Sequence, residues 1–254
     1  MSLIFKLLRL GALVCLSSML LLASNNKVTT KTMSPMAAAI LIDSYRYMGS
    51  LEHFAFAAIT GSDDVYEDTM LISSVHKIKV SVQRPSKLKV EVSGDIKNRT
   101  NYLSDGIFSM MDHKLNLYAE IKIPTKIDAA LDYLFENFNI KSPLANLLYT
   151  DLDKRIAPKS KGYYLGTTDI GGKSCHHLGF VGKTKEFQVW VEKGDSPLIR
   201  RFTIIDKSSV FQPRSSTVLR WDTNPVFEKG YFTFKADDSA MKIYVSPSAL
   251  KGVK

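Results

Sequence analysis

The feature that most restricts this chain is an alternation of apolar and polar residues with a period of two. Within residues 75–82, Ile78, Val80 and Val82 fall on one side while Lys77, Lys79 and Ser81 fall on the other. Successive side chains of a strand project to opposite faces, so the pattern predicts a strand that is dry on one face and wet on the other. After the turn residues Arg84, Pro85 and Ser86, Leu88, Val90 and Val92 stand against Lys87, Lys89 and Glu91, which predicts a hairpin. A further strand pair surrounds Ser104, Asp105 and Gly106, and Leu115, Leu117, Ala119 and Ile121 alternate with Lys114, Asn116, Tyr118, Glu120 and Lys122. One-sided alternation over closely connected strands predicts an antiparallel meander.

Helical spacing interrupts this pattern. Ser34 is placed to cap a first helix with Pro35 in its first turn, and Ala37, Ile40, Leu41, Tyr45 and Met48 share one face before Gly49. After Pro124, the residues Ile127, Ala130, Leu131, Leu134, Phe135 and Phe138 form one stripe, with Thr125 and Asp128 spaced as a capping box. A short third helix is predicted from Ser142 and Pro143, burying Leu144, Leu147 and Leu148. Strands then resume over residues 163–169, 175–181, 187–191, 198–206, 217–222 and 231–235, the last with Phe232 and Phe234 packed inward. The total of about eleven strands and three helices, two of them inserted midway, predicts a mainly β (α+β) fold.

The first residues bear on compartment. Lys6 and Arg9 precede an uncharged apolar run over residues 10–23 that closes on Ala23, Ser24, Asn25 and Asn26, the layout of a secretory signal peptide over residues 1–24. The run is shorter than the ~20 apolar residues that span a bilayer, so a permanent membrane anchor is the minor alternative. Cys15, preceded by Ala12, Leu13 and Val14, makes a poor lipidation site. Removal of Lys6 and Arg9 lowers the formal charge from +9 to +7. A basic exported protein meets anionic head groups and wall polymers rather than nucleic acid, so a membrane surface is an expected partner and nucleic acid is not. Cys175 is then the remaining cysteine, so stability must come from a core rather than from a disulfide. The expected arrangement is one domain over residues 34–246 of a periplasmic protein.

Sites for chemistry are sparse. Cys175, His176 and His177 lie on a strand, so only Cys175 and His177 share a face, and two ligands do not make a metal site. His53, His76 and His113 are scattered and read as structural. Asp63, Asp64, Glu67 and Asp68 form a polar stretch with no companion nucleophile and read as a solvated turn between strands. Asp151 and Asp153 begin a calcium-loop spacing but lack the glycine and glutamate that complete it. The sequon at Asn98, Arg99 and Thr100 carries no meaning in a bacterial chain. No catalytic residue, metal or cofactor is expected. A membrane-spanning β-barrel fits poorly, since Lys77, Lys79, Lys87 and Lys89 would each cost ~2–4 kcal/mol at the bilayer midplane if they faced lipid.

The segments QRPSKLKVEV (83–92), LSDGIFSMMDHKLNLYAEIKIP (103–124) and VWVEKGDSPLIRRFTI (189–204), with Trp221, Asp222 and the late Phe232 and Phe234, resemble an uncharacterised family of predicted periplasmic proteins (domain of unknown function 2092). That family is similar in fold to the lipoprotein carriers LolA and LolB. The resemblance implies a curved antiparallel sheet, an incomplete barrel, with three helices covering an apolar concave face. It also implies a non-enzymatic binding or carrier protein for a lipid or a lipoprotein acyl chain. On this reading Phe54, Phe56, Ile78, Val80, Val82, Leu88, Val90, Phe108, Met110, Leu117 and Ile121 line the cavity. Ile127, Leu131, Leu134, Phe135 and Phe138 form its lid. The competing expectations are a periplasmic sensor or scaffold that binds another envelope protein, and an envelope hydrolase.

Overall fold

The computed structural model describes residues 34–140, 142–155 and 161–247; the expected signal segment lies outside them. Among these residues, twelve strands form one curved, open sheet. β1 (His53–Tyr66), β2 (Met70–Gln83), β3 (Lys87–Gly94), β4 (Asn98–Ser104), β5 (Ile107–Asp112) and β6 (Leu117–Lys122) follow one another as an antiparallel meander. β7 (Lys161–Ile170), β8 (Lys173–Val181), β9 (Lys185–Glu192), β10 (Ile199–Asp206) and β11 (Arg214–Asp222) make a second meander, and β11 returns to pair with β1. β12 (Met241–Lys242) adds two residues in parallel beside β6, so the sheet runs β12-β6-β5-β4-β3-β2-β1-β11-β10-β9-β8-β7. The mainly β architecture and the open half-barrel agree with the sequence reading.

This strand order explains the helices. β6 and β7 are neighbours in sequence but lie near opposite edges of the sheet, so the chain between them must cross it. The crossing carries α2 and α3, while α1 (Pro35–Ser50) precedes the sheet; α2 is Ile127–Phe138 and α3 is Leu152–Arg155, with the 3₁₀ segment Pro143–Leu148 between them. All four bury apolar residues in one core shared with the sheet: Leu41 and Met48 of α1, Ile127 and Leu134 of α2, Leu144 and Leu148 of the 3₁₀ segment, and Leu152 of α3. At Gly49 a Cβ would lie 2.4 Å from the Thr150 carbonyl oxygen, so the end of α1 can seat against the 149–150 backbone only because that residue has no side chain.

Local readings fail in four places, each because a tertiary partner outcompeted a local one. Ser34 makes no side-chain cap; its backbone N–H instead donates to the Gly162 carbonyl and ties α1 to β7. The cap position of α2 is Lys126 rather than Thr125, and Asp128 turns away from the helix end to accept bonds from the Thr150 N–H at 3.1 Å and hydroxyl at 2.5 Å. Asp63 and Asp64 are not in the turn but inside β1, opposite Ser73 and Ile72; the turn is made by Glu67 and Asp68, both at positive φ. Residues 231–235 are not a strand. They cross the outer face as a strap in which Tyr231 bonds the Ser81 hydroxyl at 3.0 Å and Phe234 packs 5.6 Å from Tyr102 and 5.5 Å from Tyr118. Phe232 is buried as expected, but against Phe227 and Tyr231, because the free edge of β6 is taken by β12.

Candidate functional site

Strand register brings the eleven expected lining residues to one face. Phe54, Val82, Leu88, Phe108 and Ile121 lie in one cross-strand row, Phe56, Val80, Val90 and Met110 in a second, and Ile78 and Leu117 in a third. Phe54, Phe56, Val80, Val82, Leu88 and Phe108 are buried, and the other five are half-buried. Of the expected lid, Ile127 and Leu134 are buried, Leu131 and Phe138 are half-buried, and Phe135 keeps 50% of its surface exposed. All of these except Leu117 and Phe135 belong to the common core or pack against it.

Arg84 sits where sheet and helices join. Its Nε donates to the Leu51 carbonyl at 2.8 Å and its Nη1 to the Leu148 carbonyl at 2.7 Å, which ties the β2–β3 turn to the end of α1 and to the 3₁₀ segment. The guanidinium lies 5.5 Å from the Phe54 ring centroid and 3.8 Å from the Asp128 carboxylate. Burial lowers its pKa and Asp128 opposes the shift. Ile127 adds a second tie by donating its N–H to the Pro85 carbonyl at 2.8 Å.

The open space lies over the other half of the sheet. A cavity of about 500 Å³ is floored by Phe180 of β8, Phe187 of β9, and Ile199, Phe202 and Ile204 of β10. Leu41 and Tyr45 of α1, Pro143 and Leu147 of the 3₁₀ segment and Leu152 of α3 roof it. The floor follows from register: Phe180 pairs with Phe187 and Phe187 with Ile204, so three large side chains stand abreast on the face that carries the helices. Asn146, Arg155, Gly182, Lys183, Thr184 and Lys185 complete the wall. None of the sixteen residues expected to line or cover a cavity touches this one. The residues that do were visible as alternation in 187–204 and as the stripe of α1, but nothing local marked where those two surfaces leave a gap.

Tyr45 is the wall's most buried polar side chain, 5% exposed, and its hydroxyl is not among the fully buried polar atoms that lack a partner. Burial pushes its pKa above the ordinary tyrosine range, so it is a neutral donor. Arg155 is held by both oxygens of Asp132, with Nη1 at 2.9 Å, and by Asp151 at 2.5 Å. Asp153 takes Arg46 at 3.2 Å, so both carboxylates of the calcium-like spacing are ion-paired. Neither Lys183 nor Lys185 makes an ion pair among the described residues, and Lys185 stands opposite Asp206 in the strand register.

Elsewhere, Cys175 and His177 share the outer face of β8. Burial pushes the Cys175 thiol up to about 11, and its Sγ donates to the Lys173 carbonyl. His177 bonds Gln188 at 3.1 Å and stacks on Trp190 at 4.1 Å, with Arg201 4.6 Å from the Trp190 ring centroid. His176 faces the other way, 3.1 Å from the Tyr164 hydroxyl. Among the described residues no group of three or more His, Cys, Asp or Glu could hold a metal, and no helix is long and apolar enough to cross a membrane.

Comparison with known proteins adds a family. Among curated proteins none matches the chain. Similar solved structures include LprF from Mycobacterium bovis, at 14% identity and a TM-score of 0.49, covering 77% of this chain and 97% of that one. The lipoprotein LppX from Mycobacterium tuberculosis is similar at 12% identity and a TM-score of 0.47, covering 76% and 98%. A LolA superfamily protein from Nitrosomonas europaea is similar at 9% identity and a TM-score of 0.33, covering 77% and 96%. The likenesses are of outline alone. The family model described as "Predicted periplasmic protein (DUF2092)" matches residues 37–246, which include all three segments that carry the resemblance. The chain therefore belongs to the DUF2092 family of predicted periplasmic proteins.

Proposed function

We propose that this protein is a non-enzymatic binding or carrier protein that holds an apolar guest, a lipid or an acyl chain, in the bacterial cell envelope. The cavity of about 500 Å³ carries the reading. Protein interiors close around few voids larger than a water molecule, and pockets that take organic ligands begin at roughly 300 Å³. An apolar gap of this size forfeits dispersion contacts along every wall, and a chain of methylenes would restore them. The family's periplasmic description and the expected signal over residues 1–24 support an envelope location, with residues 34–246 acting as one unit. In this scheme α1, the 3₁₀ segment and α3 roof the guest, and α2, which does not border the cavity, is a movable cover over the neighbouring face. Its partial exposure at Phe135 favours that role, and the eleven residues beneath and beside it extend the floor when it lifts.

The test is chemical. Protein purified from its host without detergent is extracted with organic solvent and the extract weighed by mass spectrometry against a Phe202→Trp, Leu147→Trp variant whose added rings fill the cavity. Near-stoichiometric lipid from the wild type and its loss in the variant support the proposal. A wild type that yields no lipid and binds no apolar fluorescent probe overturns it and leaves the sensor or scaffold role.

A further inference from the structure

We infer that the guest is a single-chain amphiphile with an acidic head, a carboxylate or phosphate, whose tail lies between α1 and β8–β10 and whose head is held by Tyr45, Lys183 and Lys185. The inference rests on the cavity being a guest site. It goes further because the polar atoms of the wall are one-sided.

Arg155, Lys183 and Lys185 are cationic, Asn146 and Tyr45 can donate, and no Asp or Glu is among the sixteen lining residues. Arg155 is neutralised by Asp132 and Asp151, while neither Lys183 nor Lys185 makes an ion pair among the described residues, so the charge left at the cavity margin is that of these two lysines at the β8–β9 turn. Two ammonium groups at the margin suit a head that carries one or two negative charges. A neutral head would leave that field unused.

The Tyr45 hydroxyl adds a donor on the same wall. Tyr45 lies in the wall of the cavity, where an oxygen of the guest can accept from its hydroxyl. A carboxylate or phosphate offers several oxygens at once, enough for a hydroxyl and an ammonium together. A hydrocarbon offers none.

The test compares heads on one tail. Binding of cis-parinaric acid and of its methyl ester to the full-length mature protein is followed by the fluorescence of the polyene at neutral pH and low salt. The acid is expected to bind on the order of tenfold more tightly than the ester, a preference worth about 1.4 kcal/mol. The Lys183→Gln, Lys185→Gln variant should bring the two ligands to within about threefold by weakening the acid more than the ester, and Tyr45→Phe should likewise weaken the acid more than the ester. Displacement of the probe by oleic acid or by lysophosphatidic acid then tells a carboxylate from a phosphate head, and either supports the inference. Equal affinity for acid and ester, or a preference that survives the double lysine variant, overturns it while the cavity reading stands. Failure of both ligands to bind overturns both.

Discussion

Replacing Arg84 by methionine should cost this protein a substantial part of its stability, and the structure allows the amount to be worked out. The guanidinium donates to the carbonyls of Leu51 and Leu148 at 2.8 and 2.7 Å, and only 9% of the side chain is exposed. Methionine keeps an apolar stem against Phe54 but leaves both carbonyls without that donor, at ~1–3 kcal/mol for each buried acceptor. Asp128, 3.8 Å away and 24% exposed, loses a countercharge but stays partly hydrated, so its share is about 0–1 kcal/mol. Arg84 Nη2 is buried with no partner among the described residues, and removing it returns part of the loss. The net expectation is a destabilisation of about 2–4 kcal/mol. With a urea dependence of roughly 2 kcal/mol per molar, the unfolding midpoint should fall by about 1–2 M, read by the fluorescence of Trp190 and Trp221. Arg84→Lys, able to serve one carbonyl but not both, should lose about half as much. A methionine variant within about 0.5 kcal/mol of the wild type would show that water satisfies both carbonyls and that Arg84 does not fasten the end of α1 and the 3₁₀ segment to the sheet.

Two further outcomes follow from titratable groups. Cys175 is fully buried with its thiol pushed up to about 11, so at pH ~8 an aromatic disulfide reagent should label it only as fast as the protein unfolds; labelling within minutes under native conditions would contradict the packing of β8 against β9. The hydrogen bond from Arg99 holds the Asp112 carboxyl below the usual carboxylate range, helped by the backbone N–H groups of Leu115 and Lys114. Because its folded pKa is depressed, its contribution is present above the unfolded value near pH ~4 and is lost as the pH falls through the folded value. The thermal midpoint of Asp112→Asn should therefore decline less steeply than that of the wild type below about pH 4, and equal slopes would dismiss the Arg99 pairing.

The sheet was legible wherever a rule acts within a few residues. Alternation in β2 and β3 placed Ile78, Val80, Val82, Leu88 and Val90 on one face, because a strand's sidedness is set by its own backbone. The stripes of α1 and α2 were legible for the same reason at a different period. Residues 231–235 were misread because so short an alternating run suits an aromatic strap as well as a strand; only the occupied edge of β6 separates the two. Asp128 was misread because Thr150, 22 residues away, offered it a better donor than the helix end did.

The residues by themselves therefore determined a mainly β chain, the face each apolar side chain would seek, and the helical stripes that would cover it. Where the guest would sit was decided only by the tertiary structure. Phe180, Phe187 and Phe202 come under Leu41 and Tyr45 because β11 pairs with β1 and carries β8–β10 back beneath the first helix. A cavity is the difference between the volume two surfaces enclose and the volume their side chains fill. No local pattern encodes that difference, because it exists only once surfaces far apart in the chain have met.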